Sequence, residues 1–173
     1  MKLIYIYGIP AVGKLSVGEQ LEKITNFKLF HSHLTADYVS TLFPARNKMS
    51  DQLKQEIAYK MFEAAAKNNI NLIFTLAHQT HHDSFVKKII KIVQKYKGEI
   101  LFVRLICEKR ELSKRITQNS RKKFKKATSL KELEEILKRN SYRTIPFKKS
   151  LIIDNTRLSP KKCAQKIKEY YRL

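Results

Sequence analysis

Glycine and proline are scarce: four of each in 173 residues, too few for a Gly- or Pro-rich linker, and no internal repeat is visible. One domain over residues 1–173 is therefore expected, with two elaborated stretches at 32–69 and 117–149. Long apolar runs are missing as well. None approaches the roughly 18 residues of a membrane helix. The apolar stretch after Met1-Lys2 runs directly into Gly8, Gly13 and Lys14, without the small-residue cleavage site of a secretory leader. The two cysteines, Cys107 and Cys163, form no CxxC and have no histidine at ligand spacing, which predicts reduced thiols on apolar faces and a cytoplasmic location. Acidic residues are few: 15 Asp plus Glu against 36 Lys plus Arg, a formal charge of +21. With 43% apolar residues the chain still reads as globular rather than disordered.

So positive a chain favours anionic partners of any size, and it raises the question of nucleic acid. Lysine outnumbers arginine 27 to 9, however, beside abundant Ile and Asn, a mixture that AT-rich codons produce without selection for binding. Nucleic acid is therefore kept as a rival partner rather than the favoured one.

Apolar runs alternate with amphipathic stretches from end to end. Strands are predicted at Lys2–Tyr7, Lys28–His31, Asn71–Ala77, Glu99–Ile106 and Leu151–Asp154, each short, rich in Ile, Leu, Phe or Val, and not alternating. Helices are predicted at Lys14–Thr25, Asp51–Lys67, Asp83–Lys97 and Glu108–Gln118. Ser129-x-x-Glu132 opens a further helix at Leu130–Arg139, and Ser159-Pro160 opens the last at Lys161–Tyr170. Continuous apolar strands separated by helices imply an α/β fold with a parallel sheet covered on both faces.

Gly8-Ile9-Pro10-Ala11-Val12-Gly13-Lys14 fits G-x-x-x-x-G-K, directly after a predicted strand and directly before a predicted helix. Backbone amides of such a loop form an anion nest at a helix N-terminus, and the lysine reaches the β- and γ-phosphates. The Ser/Thr that ordinarily follows the lysine and binds Mg²⁺ is Leu15 here, and the hydroxyl comes one residue later, at Ser16. This arrangement resembles the adenylate-kinase group of P-loop kinases. Arg115, with Arg121 beyond it, is similar to their paired lid arginines, and Ile152-Ile153-Asp154-Asn155-Thr156 is similar to their fifth strand and purine-side loop.

The resemblance implies a P-loop NTPase three-layer sandwich, a five-stranded parallel sheet of order 2-3-1-4-5, and a helical lid. It also implies ATP and Mg²⁺ as cofactors, residues 8–16 on the phosphates, Ser16 toward Mg²⁺, Asn155 and Thr156 beside the base, Arg115 stacked on adenine or clamping phosphate, and Arg121 as a phosphate clamp. The specific signatures of shikimate and adenylate kinases after the second and third strands are absent. A G-K-L-[ST] loop followed by His-x-His-Leu-Thr is most similar to small bacterial kinases described as shikimate kinase-like. The implied activity is transfer of the γ-phosphoryl group to a hydroxyl or phosphate of a small acceptor.

All five histidines fall in two segments, His31 and His33 after the second strand and His78, His81 and His82 after the third. If those strands are neighbours, both segments lie at the carboxyl edge where open α/β sheets bind ligands. In extended backbone His31 and His33 share a face. His33, His31 or Asp37 is then the base or orienter for the acceptor, with His31 and His78 contacting it, and Arg46, in the loop 44–49, either holding an anionic group of it or standing as an exposed loop arginine. Two other readings stay open: a metal site built from His31-x-His33 and His78-x-x-His81, or solvated loop histidines that cap helices. Phe74-Thr75-Leu76-Ala77 ends the third strand without the usual Walker-B acid, for which Asp83, otherwise expected as a helix cap, is a candidate substitute. Arg104 is expected in a structural ion pair. The run Arg121-Lys122-Lys123-Phe124-Lys125-Lys126 suits a lid over triphosphate or, alternatively, an RNA-contacting patch. The rival functions are thus a nucleotide-dependent RNA-binding protein, a polynucleotide kinase and, given Leu15 and the missing Walker-B acid, a nucleotide-binding protein without transfer activity.

Overall fold

Both faces of the middle strand are dry, which is why its sequence shows no alternation. In the computed structural model, which describes residues 1–117 and 129–173, β1 (Lys2–Tyr7), β2 (Lys28–His31), β3 (Leu72–Leu76), β4 (Glu99–Ile106) and β5 (Ser150–Asp154) form one sheet. Its order is β2-β3-β1-β4-β5, with every neighbouring pair parallel. This is the architecture expected from the sequence. β3 is one residue shorter at each end than its apolar run. Asn71 falls just outside it, accepting Lys2 N on its side chain (2.7 Å) and Lys28 N on its carbonyl (2.9 Å), so that it aligns the starts of three strands.

The continuous apolar runs resolve into two chemically different faces. Ile4 and Ile6 join Val17, Leu21, Ile73, Val103, Leu105, Ile153 and Ile167 in an aliphatic layer. That layer is covered by α1 (Lys14–Ile24) and α7 (Pro160–Tyr171), with Leu112 and Ile116 of α5 (Lys109–Ile116) and Leu133 of α6 (Leu130–Arg139). Leu3, Tyr5 and Tyr7 point the other way, into an aromatic layer with Phe30, Phe62, Phe74, Phe85 and Phe102. This second layer is covered by α3 (Lys48–Lys67) and α4 (Asp83–Lys95), and α2 (Ser32–Leu42) packs beside α3. Period-two alternation sorts the side chains even though all are apolar.

Side-chain caps set the starts of α7, α6 and α3. Ser159 Oγ accepts Lys162 N (3.2 Å) with Pro160 at the first turn, and Ser129 Oγ accepts Glu132 N (3.2 Å). α3 starts three residues before its predicted start because Asn47 and Ser50 form a reciprocal box: Ser50 N donates to Asn47 Oδ1 (2.8 Å) and Asn47 N to Ser50 Oγ (3.0 Å). The larger correction concerns residues 31–33. The chain does not stay extended there: His31 ends β2 as the N-cap residue of α2, and His33 already lies in the helix.

Candidate active site

Gly8 leaves β1 at φ +150°, where a Cβ would stand 2.4 Å from the Leu105 carbonyl oxygen, so glycine is required on both counts. Ala11 at φ +67° and Gly13 at φ +95° complete the curl, and Ala11 holds a left-handed conformation that costs a residue with a Cβ roughly 1 kcal/mol or more. The first bond of α1 runs from Val17 N to Gly13 O (3.0 Å), so the amides of Lys14, Leu15 and Ser16 lie ahead of it, at the positive end of the helix. Lys14 Nζ donates to Gly8 O (3.0 Å) and Ile9 O (2.7 Å), which holds the ammonium across the curl. Ser16 is exposed in the first turn of α1, while Pro10 and Val12 belong to the curl itself, with Val12 fully buried.

Behind the loop stands a second layer of contacts. Arg115, on α5, has its Nε on Glu111 Oε1 (2.9 Å), its Nη1 near Asn155 Oδ1 (3.1 Å) and Val12 O (3.3 Å), and its Nη2 near Asn155 O (2.9 Å) and Thr156 O (3.5 Å). Asn155 is buried, donates Nδ2 to Val12 O (2.7 Å), and donates its own amide to Ile106 O (2.9 Å). Thr156 Oγ1 accepts Glu108 N (3.0 Å) and lies 2.6 Å from Asp154 Oδ1; hydrogen bonds from the Thr156 hydroxyl and amide hold the Asp154 carboxyl below its ordinary value. Residues 154–156 are thus laced to the back of the phosphate loop.

On the other side of the loop, the His31 and His33 rings approach to 5.9 Å between centroids. The juxtaposition expected from an extended chain is therefore present, produced by a helix start instead. Asp37 is exposed one turn along α2 from His33, at the i+4 spacing that shares a face. Arg46, expected to contact the acceptor, has its Nε on Asp51 (2.7 and 3.0 Å), an exposed pair that lowers the Asp51 pKa against the effect of burial.

His78 is placed differently from the sequence expectation. Its side chain is inaccessible, edge-on to Tyr5 and Tyr7, with Nε2 3.0 Å from Asp83 Oδ1; burial lowers its pKa despite that carboxylate. It is an internal residue of the edge, not one lining an open acceptor site. Asp83 neither caps α4 nor stands free as a metal ligand, because its other oxygen takes Arg143 Nη2 (2.8 Å). His82 accepts Gln79 N on Nδ1 (3.0 Å), and burial followed by the charges of His81 and His78 lowers its pKa to about 3. Among the described residues no group of three or more His, Cys, Asp or Glu could hold a metal ion, so the histidines do not assemble the metal site considered above.

Residues 141–145 contribute what the sequence did not single out. Thr80 N donates to Ser141 O (3.2 Å), Gln79 Nε2 to the Tyr142 hydroxyl (2.8 Å), and Ile145 N to the Tyr7 hydroxyl (3.2 Å). Arg104 donates to Thr144 Oγ1, a hydroxyl in place of the expected carboxylate. These pairs are separated by up to 138 residues in sequence, so no local pattern announces them. Arg121 and the basic run through Lys126 lie outside the described residues. The lysines of α4 form a solvated face: Lys88 lies over the Tyr59 ring (4.2 Å) and Lys95 pairs with Glu63 (3.7 Å), along an open groove of about 490 Å³ between α3 and α4.

No protein-family model and no curated protein matches the chain. Solved structures do match over nearly its whole length. A putative kinase from Chloroflexus aurantiacus is 16% identical with a TM-score of 0.73, covering 99% of this chain and 96% of that one. The APS kinase of Mycobacterium tuberculosis, solved with AMPPNP and APS, is 12% identical with a TM-score of 0.67, covering 99% and 98%. The shikimate kinase of Acinetobacter baumannii, solved with shikimate, is 15% identical with a TM-score of 0.60, covering 98% and 92%. The chain has the fold of the P-loop kinases of the shikimate and adenylate kinase group. No helix among the described residues is long and apolar enough to cross a membrane.

Proposed function

We propose that this chain is an ATP-dependent phosphotransferase that moves the γ-phosphoryl group to a hydroxyl or phosphate of a small acceptor. The observation that carries the reading is the curl over residues 8–14: a positive-φ glycine at each end, the start of α1 beneath it, and the Lys14 ammonium across it. That constellation binds phosphate by amide direction and helix dipole, and it adds a point charge where β- and γ-oxygens would lie. Phosphoryl transfer asks a protein mainly for positioning and charge stabilisation, which such a rigid loop supplies. Structures of similar fold, solved with AMPPNP and APS in one case and with shikimate in another, support the same reading.

His33 orients or deprotonates the acceptor, with His31 beside it and Asp37 one turn along the same helix face. Asn155 and Thr156 border the nucleotide on the far side, Arg121 acts on the phosphate side, and Arg115, its donors taken by Glu111, Val12, Asn155 and Thr156, bears on the phosphates through the loop it braces. The Ser16 hydroxyl, exposed in the first turn of α1, would hold Mg²⁺ without help from β3, which ends in Thr75-Leu76-Ala77 with no acid. Bound there, Mg²⁺ would supply neutralisation of phosphate charge.

Thermal unfolding with ATP and GTP, each with and without Mg²⁺, tests the reading in the wild type and in Lys14→Ala. A ligand at 100 times its dissociation constant adds about 2.7 kcal/mol of stability. The expected result is a Mg²⁺-dependent shift in the wild type that Lys14→Ala abolishes, followed by ADP release with a subset of small hydroxylated or phosphorylated acceptors. No shift with any nucleotide would refute it.

A further inference from the structure

Two donors converge on one carbonyl of the phosphate loop. Asn155 Nδ2 lies 2.7 Å and Arg115 Nη1 3.3 Å from Val12 O, and both groups stand directly behind Gly13. A Cβ on Gly13 would stand 3.5 Å from Asn155 Nδ2 and 3.8 Å from Arg115 Nη1. The Val12–Gly13 peptide is trans, so its carbonyl and its N–H point in opposite directions. Whatever holds the Val12 carbonyl against the β5–α7 side therefore aims the Gly13 N–H the other way, into the curl.

Asn155 has little capacity left for any other task. It is 2% exposed; its Nδ2 is on Val12 O, its Oδ1 on Arg115, its N on Ile106 O and its O on Arg115 Nη2. Arg115 is comparably committed, its side chain 16% exposed and its Nε on Glu111. A base-reading asparagine would present its amide to solvent, and this one presents it to the loop.

Resting on the nucleotide reading of the loop, we infer that Asn155, braced by Arg115, is a positioning residue that sets the Gly13 amide for phosphate, and that it does not read the base. Asn155 acts through the peptide it holds. It therefore governs affinity for the phosphate chain, shared by ATP, GTP and inorganic tripolyphosphate, and it has no part in choosing between adenine and guanine.

The test compares wild type, Asn155→Ala and Asn155→Asp for binding of ATP, GTP and inorganic tripolyphosphate, together with hydrogen exchange at the Gly13 amide without ligand. The aspartate variant keeps a partner for Arg115 while removing the donor to Val12, which guards against simple failure to fold. The expected result is a loss of about tenfold or more for all three ligands, an unchanged ATP-to-GTP ratio, and faster exchange at Gly13 than at the β4 and β5 amides in both variants. A changed ATP-to-GTP ratio, or tripolyphosphate binding left intact, would overturn the inference. If the wild type takes up none of the ligands, the nucleotide reading itself fails. Gly13 exchange then decides the positioning claim alone: unaltered exchange in the variants overturns it and selective acceleration sustains it.

Discussion

The Nε2 of His78, fully buried, lies 3.0 Å from Oδ1 of Asp83, whose second oxygen holds the guanidinium of Arg143 at 2.8 Å. One carboxylate thus ties the inner edge of the sheet to the segment that follows α6. The two halves of the bridge differ in weight. Removing the carboxylate leaves a buried imidazole nitrogen without its partner, a loss of about 2–3 kcal/mol. The Arg143 side chain is 48% exposed, and solvent replaces most of what it contributes, about 1 kcal/mol or less. Thermal melts of Asp83→Ala and Arg143→Ala should therefore differ, with the larger drop in Asp83→Ala. Equal drops would mean that the His78 contact contributes nothing.

The two positive-φ glycines of the curl predict unequal costs. Gly8→Ala meets both an unfavourable φ and the Leu105 carbonyl at 2.4 Å, whereas Gly13→Ala meets only the φ, its nearest neighbours being at ordinary contact distance. About 3 kcal/mol or more is expected at Gly8 and about 1–2 kcal/mol at Gly13, read from denaturant midpoints. A Gly8→Ala protein as stable as the wild type would contradict the close approach of β1 and β4 at this point.

The pH dependence of stability should carry the mark of His82. Its native pKa, lowered to about 3 first by burial, sits below that of the same group in the unfolded chain, about 6.5. As pH falls from about 6.5 to 5 the unfolded state takes up a proton that the native state refuses, so stability declines with acidification. His78, lowered in the same direction, adds to the slope. Unfolding temperature followed across that window should fall in the wild type and fall less steeply in His82→Asn, which keeps an acceptor for Gln79 N. An identical slope would show that His82 titrates alike in both states.

On the acceptor side, His33→Ala should leave the nucleotide-induced thermal shift intact while lowering ADP release by about 10²–10⁴-fold with any acceptor that supports turnover. Asp37→Asn, one turn away on an exposed face, should be milder. Loss of the nucleotide shift in His33→Ala would move this histidine to the phosphate side of the site.

Much of the fold was readable because β1, the loop and α1 are contiguous: apolar strand, spaced glycines and helix start occupy adjacent residues, so local physics fixes their geometry. The turn at His31 was not readable, because Phe30-His31-Ser32-His33 carries no strong stop signal and helix α2 is decided by packing beside α3. The early start of α3 had a signal, Asn47-x-x-Ser50, in a form with serine where Glu or Gln is the usual mark. His78, Asp83 and Arg143 illustrate the remaining gap. A lone histidine after a strand has the same sequence appearance whether its ring faces solvent or the core, and a partner 60 residues away leaves no local trace.

The unequal chemistry of the two sheet faces has an optical consequence. The chain contains no tryptophan, and among the described residues Phe27 is the one buried aromatic in the aliphatic layer, while Tyr5, Tyr7 and five phenylalanines belong to the aromatic layer covered by α3 and α4. Near-ultraviolet dichroism of this protein therefore reports unequally on the two faces: repacking of α3 or α4 changes the buried-ring signal, α7 is seen through Tyr170 and through Tyr171, whose hydroxyl donates to Phe102 O (2.7 Å), and movements confined to α1, which carries no aromatic residue, leave the signal nearly silent.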